Sequence, residues 1–291
     1  MTIALEQNNY GESHIGLLRV MRRGSFHEVK DLDVSVRFDG DFEAAHTSGD
    51  NRNILPADTV KNTVHVLARQ YPAEAIEEFA QHIIEHFLTY NEQISKVNVS
   101  VKERPWSRIP VGDKPQAAAF IAGGSEKRTV QILATREGMI LQSGIEELTA
   151  MRTTSFSFED FRRDPYTTLT GTHERVFATS ISAAWAYEIL EQELPFSTMW
   201  HSARKILLET FAAHESRSPQ HMLYAMGQAV LDNLEAIAEI RLALTDNHYS
   251  LVDLKPFGME NENEVFSTAD ATHGTVEATL RRESDHHRGR V

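Results

Sequence analysis

Ile94-x-x-Val97-x-Val99-x-Val101-x-Glu103 decides the fold, because the same pattern returns as Ile237-x-x-Ile240-x-Leu242-x-Leu244-x-Asp246. In both copies apolar residues alternate with other types, which is how a strand with one buried face reads. Each copy follows a segment of helical spacing, and the next aromatic keeps step, Trp106 against Tyr249. The offset from 94 to 237 is 143 positions, close to half of the 291 residues. A period of that length implies two related units in tandem.

Outward from the repeat, the first half shows alternation at Val34, Val36 and Phe38, an expected strand. A β-branched run over residues 63–67 suits another strand. Ile76, Phe79, Ala80, Ile83 and Phe87 then recur at helical spacing and give one apolar stripe. In the second half, residues 179–185 read as a strand and residues 199–213 and 220–233 as helices. Strands are expected again over residues 240–244 and 249–254. Pro72 and Pro219 stand at plausible helix entries. Strands, helices and strands, repeated, define an α+β class with helices on one face of an antiparallel sheet. The expected units are 1–140 and 141–280, followed by a polar tail, 281–291, read as solvated or disordered.

Composition narrows the function. No run of about 18 apolar residues is present, so a membrane span is not expected. The first residues lack a signal-peptide pattern, the last three are no peroxisomal address, and a cytoplasmic location is expected. Zero cysteines exclude disulfides, thiolate metal sites and a cysteine nucleophile. A net charge of −13 disfavours binding to nucleic acid, despite the basic residues Arg281, Arg282, Arg288 and Arg290 near the end.

Local motifs give little. His82-Ile83-Ile84-Glu85-His86 matches an inverted zinc-peptidase pattern, but these residues flank the apolar stripe as an ordinary polar helix face does. No metal site is therefore expected. Ala122-Gly123-Gly124-Ser125 reads as a turn, and neither a nucleophile elbow nor a dinucleotide or phosphate loop is present.

A more specific signal is spread over nearly the whole chain. Tyr10-Gly11, His27-Glu28-Val29, Gly40-Asp41-Phe42 and Asp58-Thr59-Val60-Lys61-Asn62-Thr63 occur in order. Ser143-Gly144-Ile145, Arg163-Asp164-Pro165-Tyr166-Thr167-Thr168-Leu169, Leu251-Val252-Asp253-Leu254 and Asn263-Glu264-Val265-Phe266 follow. In these segments the chain resembles the urate oxidase (uricase) family. The resemblance implies two tandem tunnelling-fold units per chain and a homotetramer enclosing a tunnel, with active sites between subunits. It implies an oxidoreductase that uses neither metal nor organic cofactor. Family members convert urate, dioxygen and water to 5-hydroxyisourate and hydrogen peroxide. The expected partners are a purine-like small molecule and dioxygen.

By the same resemblance Phe158, Arg175 and Gln220 match the family's ring clamp, Asp58 its backbone N–H donor and His248 its catalytic histidine. The residue chemistry fits those roles. A phenyl face stacks on a planar heterocycle, a guanidinium offers a fork of donors, and a carboxamide offers one donor and one acceptor edge. Imidazole can relay protons near neutral pH.

Four positions depart from the family pattern. Glu12 stands for its lysine and Ala57 for the threonine linked to it. Pro219, which has no N–H, replaces a residue whose N–H touches the substrate. Asp246 replaces an asparagine that holds dioxygen or water above the ring. Donors are lost and acceptors gained, which favours a ring carrying amino or N–H groups where urate has carbonyls. The expected catalytic residues are Glu12, Ala57 and His248, with Asp58, Phe158, Arg175, Pro219, Gln220 and Asp246 binding the substrate. Two alternatives stay open: a catalytically silent purine-binding homologue, and an enzyme acting without oxidation on a purine- or pterin-like ring.

Overall fold

The computed structural model describes residues 3–71, 74–172, 174–187, 194–268 and 274–283. The chain divides into two compact units, Met1–Gly144 with Glu193–Thr198, and Ile145–Gln192 with Met199–Val291. Pro72 and the tail beyond residue 283 lie outside the described residues.

The first unit begins with β1 (Tyr10–Arg23) and β2 (Phe26–Gly40), then a short α1 (Glu43–Thr47), α2 (Ala57–Gln70) and α3 (Ile76–Tyr90). After them come β3 (Ile94–Arg104), the hairpin β4 (Trp106–Val111) and β5 (Lys114–Ala122), and β6 (Lys127–Ala134). The sheet order is β1-β2-β3-β6. Register lines up three buried rows across it: Val34–Val101–Val130, Val36–Val99–Ile132 and Phe38–Val97–Ala134. Side chains alternate between faces, so a slip by one residue would expose all three rows. α3 lies on β3 and β6 through Ile76, Phe79, Ala80, Ile83, Ile84 and Phe87, all buried. Each of the Ile and Phe side chains contributes roughly 1.5–3 kcal/mol by leaving water.

The β-branched run over residues 63–67 is helix, not strand: it forms the middle of α2. Val60, Val64, Leu67 and Ala68 are its buried residues, and that helical spacing outweighs the local β-propensity.

β7 (Met139–Arg152) carries the chain from the first unit into the second. After it β8 (Phe177–Tyr187), α4 (Phe196–Ala213), α5 (Pro219–Asn233) and β9 (Ile237–Asn247) follow. Two-residue strands β10 (Ser250–Leu251) and β11 (Phe266–Ser267) pair with each other, and β12 (Gly274–Arg281) joins the sheet beside β9. The expected strand over residues 249–254 is thus reduced to β10, since Asp253 and Leu254 turn into a short helical segment, Lys255–Phe257.

β8 and β9 are antiparallel and align Ile181 with Leu244, Ala183 with Leu242 and Trp185 with Ile240, all buried. α5 packs on β9 and β12, where a Cβ on Gly227 would stand 3.0 Å from side-chain atoms of both Leu242 and Leu280. The repeat seen in the sequence is therefore a repeat of structure. β3 and β9 are each 11 residues long and start at the two repeat positions.

The basic residues at the start of the expected tail are ordered. Arg281 ends β12 and reaches Glu239 at 2.7 Å, while the Arg282 guanidinium donates to the carbonyls of Leu231 and Leu234 at the end of α5. A cation there answers the partial negative charge of the last helical carbonyls.

Candidate functional site

In the second unit the buried row of β9 runs Ile240, Leu242, Leu244 and ends on a carboxylate, Asp246. His248 continues the same parity one step beyond the strand. Arg175 stands two residues before β8, with Thr179 placed opposite Asp246 by the β8–β9 register. These placements bring three polar groups together. Arg175 Nη2–H donates to Asp246 Oδ2 at 2.5 Å, and His248 Nδ1 stands 3.3 Å from the same oxygen. The Asp246 side chain is 10% exposed, against 22% for Arg175 and 39% for His248. The carboxylate is covered while its two partners open outward.

Three more candidates, Phe158, Pro219 and Gln220, belong to the same unit. Phe158 exchanges backbone hydrogen bonds with Thr172, at 2.9 and 3.0 Å, and its ring stacks on Phe161 at 5.1 Å. Just before it, Ser157 N–H donates to the Ser216 carbonyl at 3.0 Å and Ser216 N–H to the Ser155 carbonyl at 3.3 Å. That short ladder ties the Phe158 segment to the entry of α5. Ser218 caps α5 by accepting the His221 N–H at 3.1 Å, and Pro219 and Gln220 are its first two residues. A first-turn proline loses nothing to the helix, because that N–H has no intrahelical acceptor. The Arg175 guanidinium also lies over the Phe156 ring, 6.0 Å from its centre, and Phe156 stacks on Phe177 at 4.1 Å.

Glu12, Ala57 and Asp58 belong to the first unit. Glu12 lies on β1 at a bulge, where pairing with β2 shifts between Glu12 and Ile15. Gly11 beside it admits no side chain, since a Cβ would come within 2.0 Å of the Val36 carbonyl. Tyr10 packs edge-on against Phe38 and Phe42, and its hydroxyl accepts the Leu55 N–H at 2.8 Å. Burial raises the Tyr10 pKa above the ordinary phenol value, and the Leu55 bond opposes that. Through this bond the strand carrying Glu12 holds the segment that leads into α2. Ala57 and Asp58 open that helix, where backbone N–H groups point away from it. The Asp58 carboxylate accepts from Asn62 Nδ2 at 2.9 Å, one turn on.

Sequence reasoning missed Phe156 under Arg175, and the His214–Ser216 pair near Gln220. His214 Nδ1 is 2.8 Å from Ser216 Oγ, and its ring meets that of His221 at 4.6 Å. Burial first, then His221 and Arg152, push the His214 pKa below the ordinary imidazole value, and Glu215 opposes them. No local pattern marked them, since Phe156 and Ser216 meet as an isolated bridge between segments far apart in sequence. Among the described residues no group of three or more potential ligands is arranged to hold an ion. His82 instead stacks on Tyr71 at 4.0 Å and faces Glu85 at 3.7 Å.

Fold and cluster together define a class: tandem antiparallel α+β units whose second strand pair ends in an arginine–carboxylate–histidine group. The family profile described as Uricase matches residues 8–133 and 141–277. The uricase of Arthrobacter globiformis is 39% identical over 281 residues, spanning 97% of this chain and 91% of that one. The uricase of Oryctolagus cuniculus is 32% identical over 282 residues, spanning 95% and 94%. The crystal structure of the Arthrobacter globiformis uricase superimposes with a TM-score of 0.92 at 38% identity, over 98% of this chain and 97% of that one. The urate oxidase of Bacillus sp. TB-90, at 20% identity and a TM-score of 0.86, shares the fold. The chain belongs to the uricase family, and its two units are tunnelling-fold units.

Proposed function

We propose that this protein is a cofactor-independent oxidase of a purine-like ring, using dioxygen on urate or a closely related heterocycle. The ring gives up two electrons, dioxygen takes them with two protons and leaves as hydrogen peroxide, and water supplies the new hydroxyl. The observation that carries the reading is the convergence of Arg175, Asp246 and His248 at the end of one strand pair, with the Arg175 guanidinium over Phe156, whose segment pairs with the one leading into α5. In a uricase-family chain those are the residue types a planar, hydrogen-bonding ring calls for.

In this reading Phe158 stacks on the ring, while Arg175 and Gln220 address its two polar edges. Asp58 offers its backbone N–H from the start of α2. His248 and Glu12 move protons, Ala57 leaves the place of a hydroxyl empty, and Pro219 contributes shape without a donor. Assembly into a homotetramer would bring residues of different subunits to one site, and sedimentation tests it. No described helix is long and apolar enough to cross a membrane.

The test is peroxide release by the purified protein with urate, 8-oxoguanine, xanthine and a pterin, each against a control without protein. Peroxide from any of these rings supports the oxidase reading. Binding without peroxide or oxygen consumption would sink it in favour of a silent binder. Turnover without oxygen uptake would point to non-oxidative ring chemistry.

A further inference from the structure

The clamp arginine is already charge-compensated before any ligand arrives. Asp246 is held at 2.5 Å from Arg175 by the β8–β9 register, and its side chain is 90% covered. A cavity of about 410 Å³ opens beside Arg175, lined by Thr153, Tyr249 and Phe266 among others. Two further carboxylates, Glu174 and Glu264, line it too. Among the described residues of that lining Arg175 is the cation, and the carboxylates on or next to it are Glu174, Glu264 and Asp246. Such surroundings do not favour an anion.

Resting on the ring-binding reading above, we propose that Asp246 sets the charge class of the ligand. The site selects an uncharged purine-like ring bearing N–H or amino donors over an anionic ring such as urate. Arg175 spends one donor on Asp246 and keeps the others of its five N–H groups for ring oxygens or nitrogens. A neutral ring accepts from these and donates to carboxylates. An anion would meet a guanidinium whose charge is cancelled, and Asp246, buried and fixed, cannot swing away from it. Specificity of this kind comes from a repulsive element as much as from an attractive one.

Calorimetric binding of urate, an anion at neutral pH, and of 8-oxoguanine, uncharged there, tests this on the full chain. The wild type should bind 8-oxoguanine about tenfold more tightly than urate. Asp246→Asn keeps the shape and removes the charge, so urate should gain about tenfold while 8-oxoguanine changes by less than about threefold. A wild type that prefers urate, or an Asp246→Asn variant with an unchanged ratio, overturns the proposal. Should that variant not fold, Asp246→Ser removes the same charge with a smaller side chain, and an unchanged ratio there overturns the proposal. Arg175→Ala separates the two levels. Loss of both rings, with the ratio unmoved by Asp246→Asn, removes only the role of Asp246. Unchanged affinity for both rings removes the ring-binding reading itself.

Discussion

A covered arginine–carboxylate pair stands in each unit, and the two pairs differ in what surrounds them. In the first unit Glu77, in the first turn of α3, is fully buried and accepts from Arg128 Nη2 on β6 at 2.6 Å. Ser143 Oγ on β7 donates to its other oxygen at 2.6 Å, and Arg128 also reaches Ser197 Oγ at 3.3 Å. The pair is sealed, with side-chain exposures of 8% and 0%. In the second unit Asp246 is covered, but Arg175 and His248 keep an open side. A closed pair is bound up in holding the fold. An open pair of the same chemistry still has donors to give.

The largest expected effect falls on the sealed pair. Glu77→Ala strands a buried guanidinium and should lower unfolding stability by roughly 3–5 kcal/mol in a denaturant titration, with ring binding in the surviving folded fraction unchanged. A loss below about 1 kcal/mol would mean water reaches Arg128 after all.

Arg175→Ala should reverse that profile. Asp246 keeps His248 beside it, and the site already faces solvent, so the loss of stability should stay near 1–3 kcal/mol. Ring affinity should fall well over about tenfold, the worth of one charge-assisted hydrogen bond. Equal stability losses at Glu77 and Arg175 would erase the distinction between the pairs.

The smallest effect concerns His214, behind the entry of α5. Its folded pKa lies below the unfolded value, so the folded state binds that proton less readily than the unfolded chain. Its contribution is whole above the ordinary histidine range and is lost as pH falls from the unfolded value through the folded one. His86, lowered by burial alone, acts in the same direction. Melting temperature should therefore decline from about pH 7 to pH 5, and His214→Gln should flatten part of that decline. Parallel curves for variant and wild type would refute the linkage.

Legibility in the sequence followed the length scale of the signal. The strand repeat was readable because alternation at Val97, Val99 and Val101 needs only the residues themselves. The helices were readable from their stripes, and α3, α4 and α5 lie where spacing put them. Residues 63–67 misled because β-branched residues report propensity, while the packing of Val60, Val64 and Leu67 decides. β1 and β6 were not anticipated, although β6 alternates Val130, Ile132 and Ala134 on its buried face. Both are fixed by partners, β2 and β3, whose open backbone edges they complete.

For the candidate site, family-like segments named the residues, and chemistry suggested what each could do. That Asp246 is a donor-hungry acceptor could be said from its type alone. That it is already taken by Arg175 could not. The two lie 71 positions apart, and their contact exists because Thr179 pairs with Asp246 across β8 and β9. The sequence by itself determined the tandem α+β plan, since hydrophobic periods of 2 and 3.6 residues are local properties of a chain. The tertiary structure decided which charge meets which. Register and burial set those distances, and no local pattern records them.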